Sequence, residues 1–123
     1  MRESENPAGA ATRLTRYFAG ERRALDEQPV EIRGTEFQCR VWNALRGIRA
    51  GETWTYTQLA EHMGQPEARR AVGAANGANP IPVVVPCHRV IGSNGALTGF
   101  GGGIEVKRWL LDHEERVAGR RLF

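Results

Sequence analysis

Pro80, Pro82 and Pro86 fall within seven residues and enclose Ile81 and the run Val83, Val84, Val85. Proline has no amide hydrogen to give to a helix or a central strand, so this stretch is barred from a helix and reads as a short extended rod with apolar sides. The rod ends at Cys87, which His88 and Arg89 follow directly. A thiol attacks only as the thiolate, and cationic or hydrogen-bonding neighbours are the usual means of lowering its pKa, so this order marks Cys87 as a candidate nucleophile. An isolated cysteine-histidine pair is more commonly a small buried hydrophobe beside a surface histidine, and the rest of the chain has to decide between the two.

The segments around the rod carry helical periodicity. A short helix is expected over residues 12–19, with Leu14, Tyr17 and Phe18 on one face and Gly20 as its stop. Residues 21–34 read as a linker with one strand. From Thr35 onward Phe37, Val41, Trp42, Leu45 and Ile48 recur at three- and four-residue spacing, the pattern of a helix that buries one stripe. Thr55 and Gln58 form a capping box ahead of Leu59, Ala60 and Met63, and Gly64 ends that helix. Pro66 suits the first position of a second helix running to about Asn76. Two helices joined by so short a turn have helix-turn-helix grammar, which generic helix packing also produces.

The second of these helices is built of very small side chains, among them Ala68, Ala71, Gly73, Ala74 and Ala75. A thin helix suits a DNA minor groove about 6 Å wide, whereas major-groove readout uses long polar side chains. Arg69 and Arg70 are the exceptions, planar cations able to contact phosphate or to replace a base in the stack. Close helix-on-helix packing would explain the small residues equally well. Of the 12 residues 92–103, six are glycine, which lets a ligand approach the backbone closely. The Lys-Ser/Thr ending of a nucleotide loop is missing there. A last helix, residues 104–117, is expected to set Val106, Trp109, Leu110 and His113 near one face, with Glu114 turned inward.

Composition excludes several classes. A chain of 123 residues with 41% hydrophobic and 25% charged residues fits one globular domain. No apolar run approaches the ~20 residues of a membrane span, and the first twelve residues lack a signal-peptide core, so a cytoplasmic protein is expected. Cys39 and Cys87 are the two cysteines, expected as thiols, with Cys39 an inert helix residue. A zinc site from Cys39, Cys87, His88 and His113 lacks paired ligand spacing, so neither metal nor cofactor is expected. The net charge is only +3, yet all basic residues but Lys107 are arginine, the side chain best suited to phosphate and base edges. Such a mild balance does not by itself establish nucleic-acid binding.

Taken jointly, Thr55-Tyr56, Arg70-Ala71-Val72-Gly73, Asn79-Pro80, Pro86-Cys87-His88-Arg89-Val90 and Trp109-Leu110-Leu111-Asp112-His113-Glu114 resemble the C-terminal domain of O6-alkylguanine-DNA alkyltransferases, over residues 34–115. The resemblance implies a mainly α fold, winged-helix-like with a helix-turn-helix for DNA and a short extended active-site segment. It also implies a catalytic unit at 34–118, a tail at 1–33 similar to the last piece of the family's N-terminal domain, and a C-terminal tail at 119–123. The activity implied is irreversible transfer of an alkyl group from guanine O6 in double-stranded DNA to a protein cysteine. The helix-turn-helix would lie in the minor groove and the base would be flipped out.

On the matching positions Cys87 is the nucleophile, His88 its base acting through a water, Glu114 the group that orients His88, and Tyr56 the donor of a proton to the departing guanine. Arg70 is the finger filling the vacated stack, with Arg69 and Ala71 beside it at the DNA, and Asn79 the hinge to the active-site segment. Phe100 is an aromatic wall, and the amides near Gly101 and Gly102 contact the base. Arg89 holds structure. A monomer away from membranes is expected. Two other functions compete. Non-enzymatic alkyltransferase-like lesion sensors commonly carry tryptophan where this chain keeps Cys87, and a helix-turn-helix transcription regulator would require polar groove-reading side chains that residues 68–78 mostly lack.

Overall fold

Two threonines start two of the helices. The Thr35 and Thr55 hydroxyls each accept a hydrogen bond from the amide three residues on, and the Gln38 and Gln58 side-chain oxygens accept one from the threonine amide, so both carry complete capping boxes. Each box satisfies two amides that a helix start would leave unpaired.

The computed structural model describes residues 9–21, 23–97, 100 and 102–120. In chain order the elements are α1 (Ala10–Phe18), α2 (Glu36–Leu45), β1 (Trp54–Thr55), α3 (Tyr56–His62), a 3-10 turn (Pro66–Ala68), α4 (Arg69–Gly77), a second 3-10 turn (Cys87–Arg89), β2 (Val90–Ile91) and α5 (Ile104–Arg120). Pro66 opens the 3-10 turn that leads into α4, so α3 and α4 form the expected helical pair. No helix among the described residues is long and apolar enough to cross a membrane.

The main core lies between α2, α3, α4 and the second 3-10 turn, with Trp42, Leu45, Leu59, Val72 and Val85 all buried. Each such side chain contributes about 1.5–3 kcal/mol by leaving water. Trp42 also donates from its indole nitrogen to the Ala75 carbonyl of α4 at 2.8 Å. A Cβ at Gly34 would come within 2.7 Å of the Trp42 ring, so only glycine fits there without displacing the ring. A second cluster of Tyr17, Leu25, Val84 and Leu110 joins α1 to α5.

Several expectations change. The proline-bracketed stretch is a tight turn: Val85 donates to the Ile81 carbonyl at 3.0 Å, and Val83 takes a φ of 74°. Prolines exclude a helix but not a turn, and Asn79 closes this one, accepting from the Ile81 amide at 2.9 Å and donating to the Val85 carbonyl at 2.7 Å. Cys87 therefore begins a 3-10 turn, and extended backbone returns only at β2, which pairs in parallel with β1 in the register Trp54 with Val90 and Thr55 with Ile91. No strand forms among the described residues of 21–34, which run through turns. On α5 the buried face is Lys107, Leu110, His113, Glu114 and Val117, while Val106 and Trp109 are nearly half exposed. The apolar pattern misled because two charged side chains occupy the inner face.

Candidate active site

Cys87 is 6% exposed and belongs to the main core. Its amide donates to the Val85 carbonyl at 2.8 Å, and its own carbonyl accepts from Asn76 of α4 at 3.4 Å, so the segment on either side is tied to the helical pair. Burial pushes the thiol pKa up; a hydrogen bond with Asn79 and the charge of Lys107 oppose it without cancelling it. The sequence suggested a thiol already acidified by its neighbours. The structure instead keeps it protonated, because loss of water penalises the thiolate more than those groups favour it.

Beside the thiol lies a buried charge network. Glu114 Oε2 accepts from Tyr17 Oη at 2.6 Å, from His88 Nε2 at 2.8 Å and from Arg89 Nη2 at 2.8 Å, and its Oε1 accepts from Arg89 Nε at 2.8 Å. Burial alone would raise this carboxyl, yet the bonds from His88 and Arg89 outweigh it and hold the pKa at about 2. Glu114 is thus ionised, and the nitrogen facing it must carry the ring proton. That leaves His88 Nδ1 as a lone pair; it is buried and has no protein partner among the described residues. Burial also lowers the His88 pKa, against the pull of Glu114, so the imidazole is neutral. A neutral ring with a fixed tautomer and one free lone pair is a general base.

Arg89 spends its remaining donor on the Ile48 carbonyl at 2.6 Å, which makes it a clamp between the turn and the core, as expected. Lys107 is buried and donates to the Val90 carbonyl at 2.6 Å.

The other anticipated residues lie nearby but do not all converge. Tyr56 stands at the start of α3 with its ring against Gly73 of α4, where a Cβ would sit 3.8 Å from the ring. It lines an open hollow of about 440 Å³ with Thr57, Arg69, Gly73, Gly92, Ser93 and Asn94. Cys87 is not on that wall. Arg69, Arg70 and Ala71 are exposed on α4. Asn79 meets both the turn and the thiol. Phe100 is half-buried against both clusters, and a Cβ at Gly102 would fall 2.8 Å from its ring. Gly101 lies outside the described residues. Cys39 sits on α2, its sulfur 3.8 Å from the Gly34 carbonyl, away from the network.

Three participants escaped the sequence reading. From the sequence Tyr17 is one position on the apolar face of α1, Asn76 only the approximate end of the second helix, and Lys107 only the one lysine among the basic residues. The spacing of Lys107, Leu110, Glu114 and Val117 on one helical face was the available signal.

The family model for 6-O-methylguanine DNA methyltransferase, DNA binding domain, matches residues 36–116. A methylated-DNA–protein-cysteine methyltransferase of Shigella flexneri is 55% identical over 109 residues, which are 89% of this chain and 64% of that protein. One from Mycolicibacterium paratuberculosis is 55% identical over 116 residues, 92% of this chain and 70% of its own length. Among solved structures, Mycobacterium tuberculosis OGT in complex with DNA superposes with a TM-score of 0.81 at 54% identity, covering 89% of this chain and 66% of the other. Schizosaccharomyces pombe Atl1, in complex with damaged DNA containing O6-carboxymethylguanine, superposes with a TM-score of 0.58 at 32% identity over 68% of this chain and 79% of the other. The chain spans about 64% of the length of the first of these relatives.

Proposed function

The chain belongs to the 6-O-methylguanine DNA methyltransferase family, and from that premise we propose that it moves an alkyl group from guanine O6 in duplex DNA onto the Cys87 sulfur, once per molecule. The observation that carries this reading is the His88 tautomer: Nε2 is committed to Glu114 at 2.8 Å and Nδ1 is left as a buried lone pair one residue from the thiol.

A buried, protonated thiol is unreactive until a base takes its proton, and His88 Nδ1 is that base, through a bridging water because neighbouring side chains diverge. The sulfur then attacks the alkyl carbon; the new carbon-sulfur bond forms as the carbon-oxygen bond breaks, and that electron pair leaves with guanine. Tyr56 supplies a proton to the departing base, which is a poorer leaving group as an anion. The imidazolium formed on His88 is stabilised by ionised Glu114, and Arg89 keeps that carboxylate from moving. The product is a thioether, whose stable carbon-sulfur bond makes the sulfur a single-use acceptor.

Guanine O6 is out of reach inside a duplex, so the base is flipped, at a cost of a few kcal/mol. The exposed Arg70 on small-faced α4 offsets part of this by filling the stack, Arg69 and Ala71 lie along the minor groove, and Asn79 joins that helix to the thiol turn. Phe100 and the backbone at Gly102 bound the base. The catalytic unit is taken as 34–118, acting as a monomer in the cytoplasm.

The second reading, a lesion sensor that binds without transfer, draws support from the burial of the thiol and from the likeness to Atl1. Intact mass after incubation with duplex DNA containing O6-methylguanine separates the two. Gain of one methyl group, abolished in Cys87→Ser, is expected; tight lesion binding with no gain in mass overturns transfer in favour of the sensor.

A further inference from the structure

Tyr17 comes from α1, outside the matched residues 36–116, yet its hydroxyl meets Glu114 across 97 residues of sequence at 2.6 Å. We propose that Tyr17 is a positioning residue of the transfer site, whose hydroxyl holds the Glu114 carboxylate and sets how strongly it draws a proton onto His88. This rests on the transfer reading above.

The packing around Tyr17 asks only for a ring. Its neighbours Leu25, Val84 and Leu110 are aliphatic, its ring meets Phe18 edge-on at 5.1 Å and His113 at 5.3 Å, and phenylalanine would fill the same space. The hydroxyl is therefore a separate feature, and it is directed at the one oxygen that also receives His88 Nε2. Tyr17, His88 and Arg89 all donate to that oxygen and share its charge. With Tyr17 present, Oε2 pulls less on the ring proton, an imidazolium at His88 is less favoured, and the base stays neutral and ready at neutral pH. Tyr17 itself stays protonated, since burial and the Glu114 charge both drive its pKa far up, so it acts as a donor at every working pH.

The charged and titratable groups facing this set are few. His88 meets Glu114 and Lys107 from α5 and Arg89 from its own turn; Glu114 meets Tyr17 from α1 together with His88 and Arg89; the Tyr17 carbonyl accepts from His113 Nε2 at 2.9 Å. Tyr17, like His88, reaches Glu114 as a neutral donor, and its removal changes hydrogen bonding without changing formal charge.

The test is Tyr17→Phe, followed by nuclear magnetic resonance titration of His88 and by the pH profile of methyl gain on Cys87. Loss of the donor is expected to raise the His88 pKa by about half a unit, and the acid limb of transfer moves up with it. A role confined to packing moves neither. Titration and acid limb superposing on those of the unsubstituted chain overturn the proposal. If Tyr17→Phe melts, 3-fluorotyrosine at position 17 alone keeps the shape and donates more strongly, so His88 must shift downward; no shift overturns the proposal as well. The titration is read without DNA, so failure of the unsubstituted chain to gain a methyl rejects the transfer reading while the His88 shift still decides the role of Tyr17.

Discussion

At Glu114 a full negative charge sits out of reach of solvent, held by Arg89 through two contacts of 2.8 Å. Its pKa falls from an ordinary 4.5 to about 2, so the folded state binds this proton more weakly than the unfolded chain does. The stabilisation is therefore complete above about pH 4.5 and is lost as pH falls toward 2. Glu114→Gln leaves Arg89 buried without a counter-charge and is expected to cost about 3 kcal/mol at pH 7. Urea unfolding of the two proteins at pH 7 and near pH 2 checks this, since the gap should narrow once the native carboxyl is also protonated. At this scale the sequence brought forward Cys87, His88 and Glu114 as candidates, through the resemblance of the motifs that contain them to one family. It concealed Tyr17 and Lys107, whose roles depend on what they meet across the core.

The helices were legible because their ends are chemically marked, by threonine-glutamine boxes at 35–38 and 55–58 and by proline at 66. The two-residue strands were not, since β1 and β2 have no alternation to display and exist only by pairing with each other. The turn at 79–85 was half legible: proline spacing excluded a helix, but the side-chain bonds of Asn79 decided between a rod and a turn. Among these elements α4 carries the clearest functional test. Arg70→Ala should reduce transfer from duplex DNA about tenfold or more, equivalent to ~1.4 kcal/mol of the extrusion cost. Transfer from the free alkylated base, which requires no flipping, should change far less. Side-by-side rates on the two substrates check this, and equal losses would remove Arg70 from the stack-filling role.

Across the molecule the second cluster reaches the candidate site, because it brings Tyr17 of α1 to the face of α5 that bears Glu114. Leu110 is buried at that junction, so Leu110→Ala should cost about 3 kcal/mol through the cavity it leaves. It should also slow methyl gain on Cys87 measured under conditions where the protein remains folded, because the carboxylate and its tyrosine donor are held apart by the loosened contact. Urea melts and transfer rates on the same variant check both parts. The sequence alone determined the helices, the helical pair with its small-residue face, the family likeness and the choice of Cys87 as candidate nucleophile, all of which are encoded in residues close together along the chain. Only the tertiary structure decided that the thiol is buried and protonated, that His88 presents Nδ1, and that Glu114 has a tyrosine donor besides its arginine. Those properties arise from dehydration and from contacts between residues far apart in sequence, which no local pattern records.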